Sequence, residues 1–167
     1  MEQDFGAYIR QQFQISECDL NSYSPLVLAY VGDAVYELIL RTIVVGKGNQ
    51  QVNKLHRQTS CYAKAQAQSE MMETLLPLLT KEEADIYRRG RNAKSYTTAK
   101  NASVHDYRRA TGFEALMGYL YLSNHMPRLT ELVKEAFTHY TPDERQGVEA
   151  RNARRKEKAV KEKQKKS

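Results

Sequence analysis

The chain has 167 residues, 41% of them hydrophobic, with 26 Lys and Arg against 20 Asp and Glu, two Cys and no Trp. That is one domain's worth of sequence, long enough to bury a core without disulfides or a structural metal. Cys18 and Cys61 form no framework, acids stand where a signal peptide needs positive charge, and the apolar run over residues 38–45 is broken by Arg41. Secreted and membrane classes are therefore excluded, and a reducing cytoplasm is expected.

The net charge of +6 is unevenly placed. Residues 144–167 carry ten Lys or Arg and four Glu, while residues 1–143 are neutral overall. Within that neutral body, residues 88–109 hold seven bases and one acid, Asp106. Positive charge thus sits in one loop and one tail, over a body with an acidic surplus. Such a split fits a polyanion bound by loop and tail.

In chain order, the first 23 residues hold a weak amphipathic stretch (Phe5, Tyr8, Ile9, Phe13) that either packs on the body or stays mobile. Ser24-Pro25 reads as an N-cap with proline in the first turn, opening a helix that runs to about Val45. Its apolar residues leave almost no polar face, so it is expected to be buried nearly all round. Asp33, Glu37 and Arg41 lie at i, i+4 and i+8 and form one thin polar stripe. Residues 51–79 read as helix, broken near Thr59-Ser60, with Pro77 weakening the last turn. Thr80 and Glu83 form a capping box for a short helix over residues 81–89, which Gly90 stops. Residues 91–102 lack apolar periodicity and read as a loop. Ser103 caps the next helix, which passes through Phe113 and Leu120 to about Ser123, and Pro127 sits in the first turn of the last core helix. Beyond Asp143 the apolar pattern stops, leaving a charged run that is either a solvated helix or disordered. No alternating strand pattern occurs. The fold class is all-α, with an extension over 1–23, a core domain over 24–141 and a basic tail over 142–167.

Asp33 needs a reason to sit in so apolar a helix, because an unpaired buried carboxylate is expensive. Its neighbour Gly32 weakens the helix by roughly 1 kcal/mol relative to Ala, which makes sense where another backbone crosses closely. Taken alone, a partly exposed Asp33 beside a Glu37–Arg41 pair explains this helix as well. The helix around Glu114 repeats the design, with one acid among apolar residues and Gly118 one turn away. Two such helices crossing at their glycines would bring Asp33 and Glu114 together. Facing carboxylates repel unless a divalent cation lies between them, and hard oxygen ligands suit Mg²⁺ near phosphates.

The basic segment contains Arg88, Arg89, Arg91, Asn92, Lys94, Lys100, Arg108 and Arg109. Guanidinium, ammonium and small polar groups suit phosphate and sugar contacts, although a basic loop by itself is usually only a solvated surface. With Tyr96 as its one aromatic between residues 88 and 106, it fits the backbone and 2′-OH of an A-form duplex better than stacked single-strand bases. There is no P-loop, GxGxxG, HExxH or CxxC, and the four His are scattered without ligand spacing.

Three ordered motifs carry a resemblance: LAYVGDAVYE over residues 28–37, RGRNAK over 89–94 and TGFEALMGYL over 111–120. They resemble Mini-ribonuclease III, the short bacterial branch of the ribonuclease III family that has the nuclease domain and no double-stranded-RNA-binding domain. The resemblance implies an all-α homodimer that grips duplex RNA and hydrolyses one phosphodiester per strand with Mg²⁺, held by the catalytic Asp33 and Glu114. On charge, RNA contacts are expected from Arg88, Arg89, Arg91, Asn92, Lys94, Lys100 and Arg108, and the basic tail could also bind ribosomal particles. The resemblance also implies large-subunit (23S) ribosomal RNA precursor as substrate. Larger ribonuclease III enzymes carry further acids where this chain has Leu26, Ala29 and Thr111, so one metal per subunit is easier to support than two. Two rivals predict different behaviour. A noncatalytic duplex-RNA or ribosome-binding module would bind without Mg²⁺-dependent cleavage, and an all-α protein–protein adaptor would not bind RNA.

Overall fold

The computed structural model describes residues 5–17, 19–94 and 103–142. They form seven α-helices: α1 (Phe5–Gln12), α2 (Pro25–Gly46), α3 (Val52–Ala63), α4 (Ala65–Leu75), α5 (Lys81–Asn92), α6 (Val104–Leu122) and α7 (Met126–His139). Short 3₁₀ turns at Leu20–Ser22 and Leu76–Leu78 complete the described structure, with no strand among the described residues. The all-α expectation holds.

Local chemistry sets the helix ends. Ser24 caps α2, its hydroxyl accepting from the Leu26 amide, and Ser103 caps α6 by accepting from the Asp106 amide. The capping box before α5 is complete: Glu83 N–H donates to Thr80 Oγ1 at 3.2 Å, and Thr80 N–H donates to Glu83 Oε2 at 2.8 Å. The same Glu83 takes two bonds from Arg128 of α7, at 2.9 and 3.0 Å, so one carboxylate both starts α5 and fastens it to α7. Burial opposes its ionisation, but the bonds from Arg128 and Thr80 prevail and hold it below the usual carboxyl value.

The packing is organised around α6, which α2, α4, α5 and α7 surround. Between Ala110 and Leu120 every α6 residue is buried except Glu114, which is half-buried. Phe113, Leu116 and Met117 are fully enclosed. Burial of each such side chain is worth roughly 1.5–3 kcal/mol. The Phe113 ring meets Tyr36 of α2 edge to face at 4.9 Å, and the Tyr36 hydroxyl donates to the Tyr62 carbonyl of α3 at 3.1 Å. On the flank, α1 packs Gly6 against the Tyr121 ring, and Arg10 donates to Asn124 Oδ1 at 2.5 Å.

Three sequence expectations are corrected. The helix enclosed on all sides is α6, whereas α2 leaves an apolar face open: Tyr30 is 81% exposed and Leu38 57%. The break between α3 and α4 falls at Lys64, whose extended backbone (ψ 150°) ends one helix and starts the next. Finally, α5 does not stop at Gly90 but continues to Asn92, because Gly90 is where α5 is pressed against α6.

Candidate active site

The two acids are positioned by a backbone crossing. A Cβ on Gly32 would overlap the Glu114 carbonyl oxygen and stand 2.6 Å from the Gly118 nitrogen. A Cβ on Gly118 would overlap the Leu28 carbonyl oxygen and stand 3.0 Å from the Gly32 nitrogen. The helices therefore touch backbone to backbone, an approach that glycine alone permits. Asp33 follows Gly32, and Glu114 stands one turn before Gly118, so the crossing brings both acids to one junction, where the Asp33 charge acts on Glu114.

Their protonation reflects that proximity. Burial, with the Asp33 charge adding to it, pushes Glu114 up to about 7 against the opposing hydrogen bond from Gln68. Asp33 sits on an exposed edge and is raised by its partial burial and by Glu37. Glu114 thus keeps its proton towards neutrality. Among the described residues, no Lys, Arg or His acts on Glu114, so a negative pair faces no compensating charge. Hard carboxylate oxygens in that situation fit a divalent cation. No third His, Cys, Asp or Glu joins them among the described residues. Glu37 instead pairs with Arg41 at 2.6 Å.

Gln68 of α4, 2% exposed, is the neighbour that sequence reasoning did not single out. Its Nε2 donates to the Ala63 carbonyl at 3.1 Å, and its side chain also hydrogen-bonds Glu114. Its Oε1 is buried with no partner. A buried acceptor left unmade costs about 1–3 kcal/mol, which marks the position as built for something besides packing.

A second glycine crossing brings up the basic end of α5. A Cβ on Gly90 would stand 2.8 Å from the Ala115 Cβ and 2.9 Å from the Gly112 Cα, next to Glu114 along α6. The residues expected to bind RNA divide at this point. Arg89 turns inward, donating to the Tyr23 carbonyl at 3.0 Å and the Asn21 carbonyl at 3.4 Å. Arg88 pairs with Asp85 at 2.7 Å while remaining exposed. Arg91 lies over the Tyr87 ring, 5.9 Å from its centroid, and donates to Asn92 Oδ1 at 3.3 Å. Lys94 and Arg108 are exposed. Lys100, most of the expected loop and the basic tail lie outside the described residues.

Residues 26–125 match the family model described as Ribonuclease III domain. The chain is 48% identical to the Mini-ribonuclease 3 of Thermoanaerobacter sp. (strain X514), over 80% of this chain and 94% of that relative. It is 48% identical to the Mini-ribonuclease 3 of Clostridium tetani over 76% of this chain and 85% of the other, and 50% identical to that of Enterococcus faecalis over 69% and 89%. This chain belongs to the ribonuclease III family.

A crystal structure of a Fusobacterium nucleatum protein, 25% identical, superposes with a TM-score of 0.66 over 73% of this chain and 98% of that one. The chain is thus an endoribonuclease of the Mini-ribonuclease 3 type, a hydrolase of RNA phosphodiesters. Its ribonuclease III domain spans α2 to α6 and contains both glycine crossings, Asp33, Glu114 and Gln68. The lone amide at Gln68 was hidden in sequence because α4 is rich in Ala and Gln on buried and exposed faces alike.

Proposed function

We propose that this endoribonuclease cleaves double-stranded RNA with Mg²⁺ as a homodimer, and that it matures the large-subunit (23S) ribosomal RNA precursor in the bacterial cytoplasm. The observation that carries the reading is the Gly32–Gly118 crossing, at whose junction the Asp33 charge acts on Glu114. Asp33 and Glu114 would hold the cation. Bound there, Mg²⁺ supplies charge against a non-bridging phosphate oxygen and a water acidic enough to attack phosphorus. No side-chain nucleophile is then required.

The remaining chemistry belongs to the chain. Arg91, Asn92 and Lys94 at the end of α5, with the exposed Arg88 and Arg108, hold phosphates in register, as contacts that position without reading sequence. Arg89 supports this edge from behind by tying α5 to residues 21–23. The homodimer reading is supported by the open apolar face of α2. Tyr30, Val31, Leu38, Ile39 and Ile43 line a groove of about 1460 Å³ with Met126 and Phe137, and Asp33 stands on its margin. A second copy covering that groove would bring two acid pairs to one duplex. Ribosomal particles carrying the precursor are the partners in this reading.

The test is cleavage of duplex RNA with and without Mg²⁺ by the wild-type protein and Asp33→Asn. The wild type is expected to cut only with the cation, and Asp33→Asn to bind the duplex but leave it intact. An active Asp33→Asn protein refutes the assignment. A wild type that binds and never cuts would make the chain a duplex-RNA or ribosome-binding module on a nuclease fold.

A further inference from the structure

We propose that Gln68 is a positioning residue of the cation site, its Oε1 accepting a hydrogen bond from a water in the hydration shell of the ion held by Asp33 and Glu114. The inference rests on the proposed reading of those two acids as the cation's ligands. Three observations carry it. Gln68 lies almost wholly inside the protein yet keeps a polar tip among helices α3, α4 and α6. The Ala63 carbonyl can only accept, so it fixes the amide with nitrogen towards itself; the second N–H serves the Glu114 carboxylate. The oxygen on the same planar group is left buried without a donor.

The groups that meet this amide define the partner of its oxygen. Ionised Glu114 and the Ala63 carbonyl are both acceptors, and among the described residues no Lys, Arg or His acts on Glu114. A cluster made only of acceptors is completed by a species that brings positive charge and O–H donors together. A hydrated divalent cation does both, because Mg²⁺ sheds water reluctantly and its remaining waters need acceptors. Gln68 then acts twice, its nitrogen orienting the Glu114 carboxylate and its oxygen taking up a shell water. Neither role makes it a ligand or a catalytic residue. Partners of this kind typically change metal affinity by roughly 10–100-fold.

The experiment measures Mg²⁺ binding to the full chain by calorimetry without RNA, beside the melting temperature with and without the ion. Gln68→Met keeps the length of the side chain and removes both polar atoms; Gln68→Glu keeps an oxygen at the tip and adds charge. Gln68→Met is expected to bind Mg²⁺ about 10-fold more weakly than wild type. Gln68→Glu is expected to bind at least as tightly as wild type and to gain more melting temperature on adding the ion, because a third carboxylate is strained without it. A loss under about threefold in Gln68→Met, or weaker binding in Gln68→Glu, overturns the proposal. If Gln68→Met does not fold, Gln68→Glu decides alone: a larger ion-induced rise than wild type supports the role, and an equal or smaller one refutes it. Asp33→Asn separates the two levels. If it binds Mg²⁺ like wild type, the acid-pair reading has failed; if it loses binding while Gln68→Met does not, only the role of Gln68 has failed.

Discussion

Glu114→Gln should raise the stability of the metal-free protein, and should do so increasingly as pH rises. In the unfolded chain this carboxyl releases its proton near 4.5, whereas burial and the Asp33 charge hold it in the folded protein to about 7. Between those values the native state binds the extra proton, so stability falls as pH climbs from about 4.5 to about 7 and is level beyond. At about 1.4 kcal/mol per pH unit, the interval amounts to roughly 3 kcal/mol at pH 8, an upper value that water entry around the half-buried group would lower. The amide in the variant cannot ionise and escapes that loss. In EDTA, thermal or urea unfolding should find the two proteins nearly equal at pH 5. At pH 8 the variant should be ahead by about 1–3 kcal/mol, or about 2–4 °C in Tm for each kcal/mol in a chain of this size. Saturating Mg²⁺ should restore the wild type and leave the variant unmoved, while cleavage by the variant is lost. Parallel pH curves for the two proteins would refute the placement of a strained carboxylate at position 114.

Three further outcomes test the architecture. Gly32→Ala must push α2 off α6, and is expected to cost about 3 kcal/mol or prevent folding, read as a drop in urea midpoint; a wild-type midpoint would contradict the backbone contact. Leu38→Glu puts a charge on the open apolar face of α2 and should leave the isolated fold intact by circular dichroism while converting a dimer to a monomer in sedimentation; an unaltered dimer would place the second copy elsewhere. Arg89→Ala is expected to lower Tm by several degrees through loss of its two carbonyl bonds. Lys94→Ala, by contrast, should leave Tm unchanged and make duplex binding less steeply salt-dependent. Reversed behaviour of the pair would exchange their roles.

Much of this was legible in the sequence because the signals were local. Ser24, Ser103, Thr80 with Glu83 and Pro127 each act on the backbone within one turn, so the starts of α2, α6, α5 and α7 could be read directly. The helix crossing was legible through its glycines, since Gly32 and Gly118 had no local reason to stand in apolar helices. Three things were not. Residue type at Tyr30 or Leu38 records a preference for leaving water and says nothing of whether the cover is the same chain or another copy, so α2 read as core. Gly90 carried a stop signal because the tertiary contact that keeps it helical comes from Gly112 and Ala115, more than twenty residues away. Gln68 could not be distinguished from the exposed Gln66 by any pattern, and only packing turned one of them towards Glu114.

The glycine crossing has a consequence for how this enzyme can diversify. The atoms that place Asp33 and Glu114 are main-chain atoms at the centre of the molecule, so any shift in the spacing of the acids must also part the two longest helices. Hydrolytic geometry is therefore inherited whole or lost with the fold. Adaptation to a new transcript falls to exposed positions such as Arg88, Arg91 and Lys94, whose side chains can be exchanged without parting the two helices.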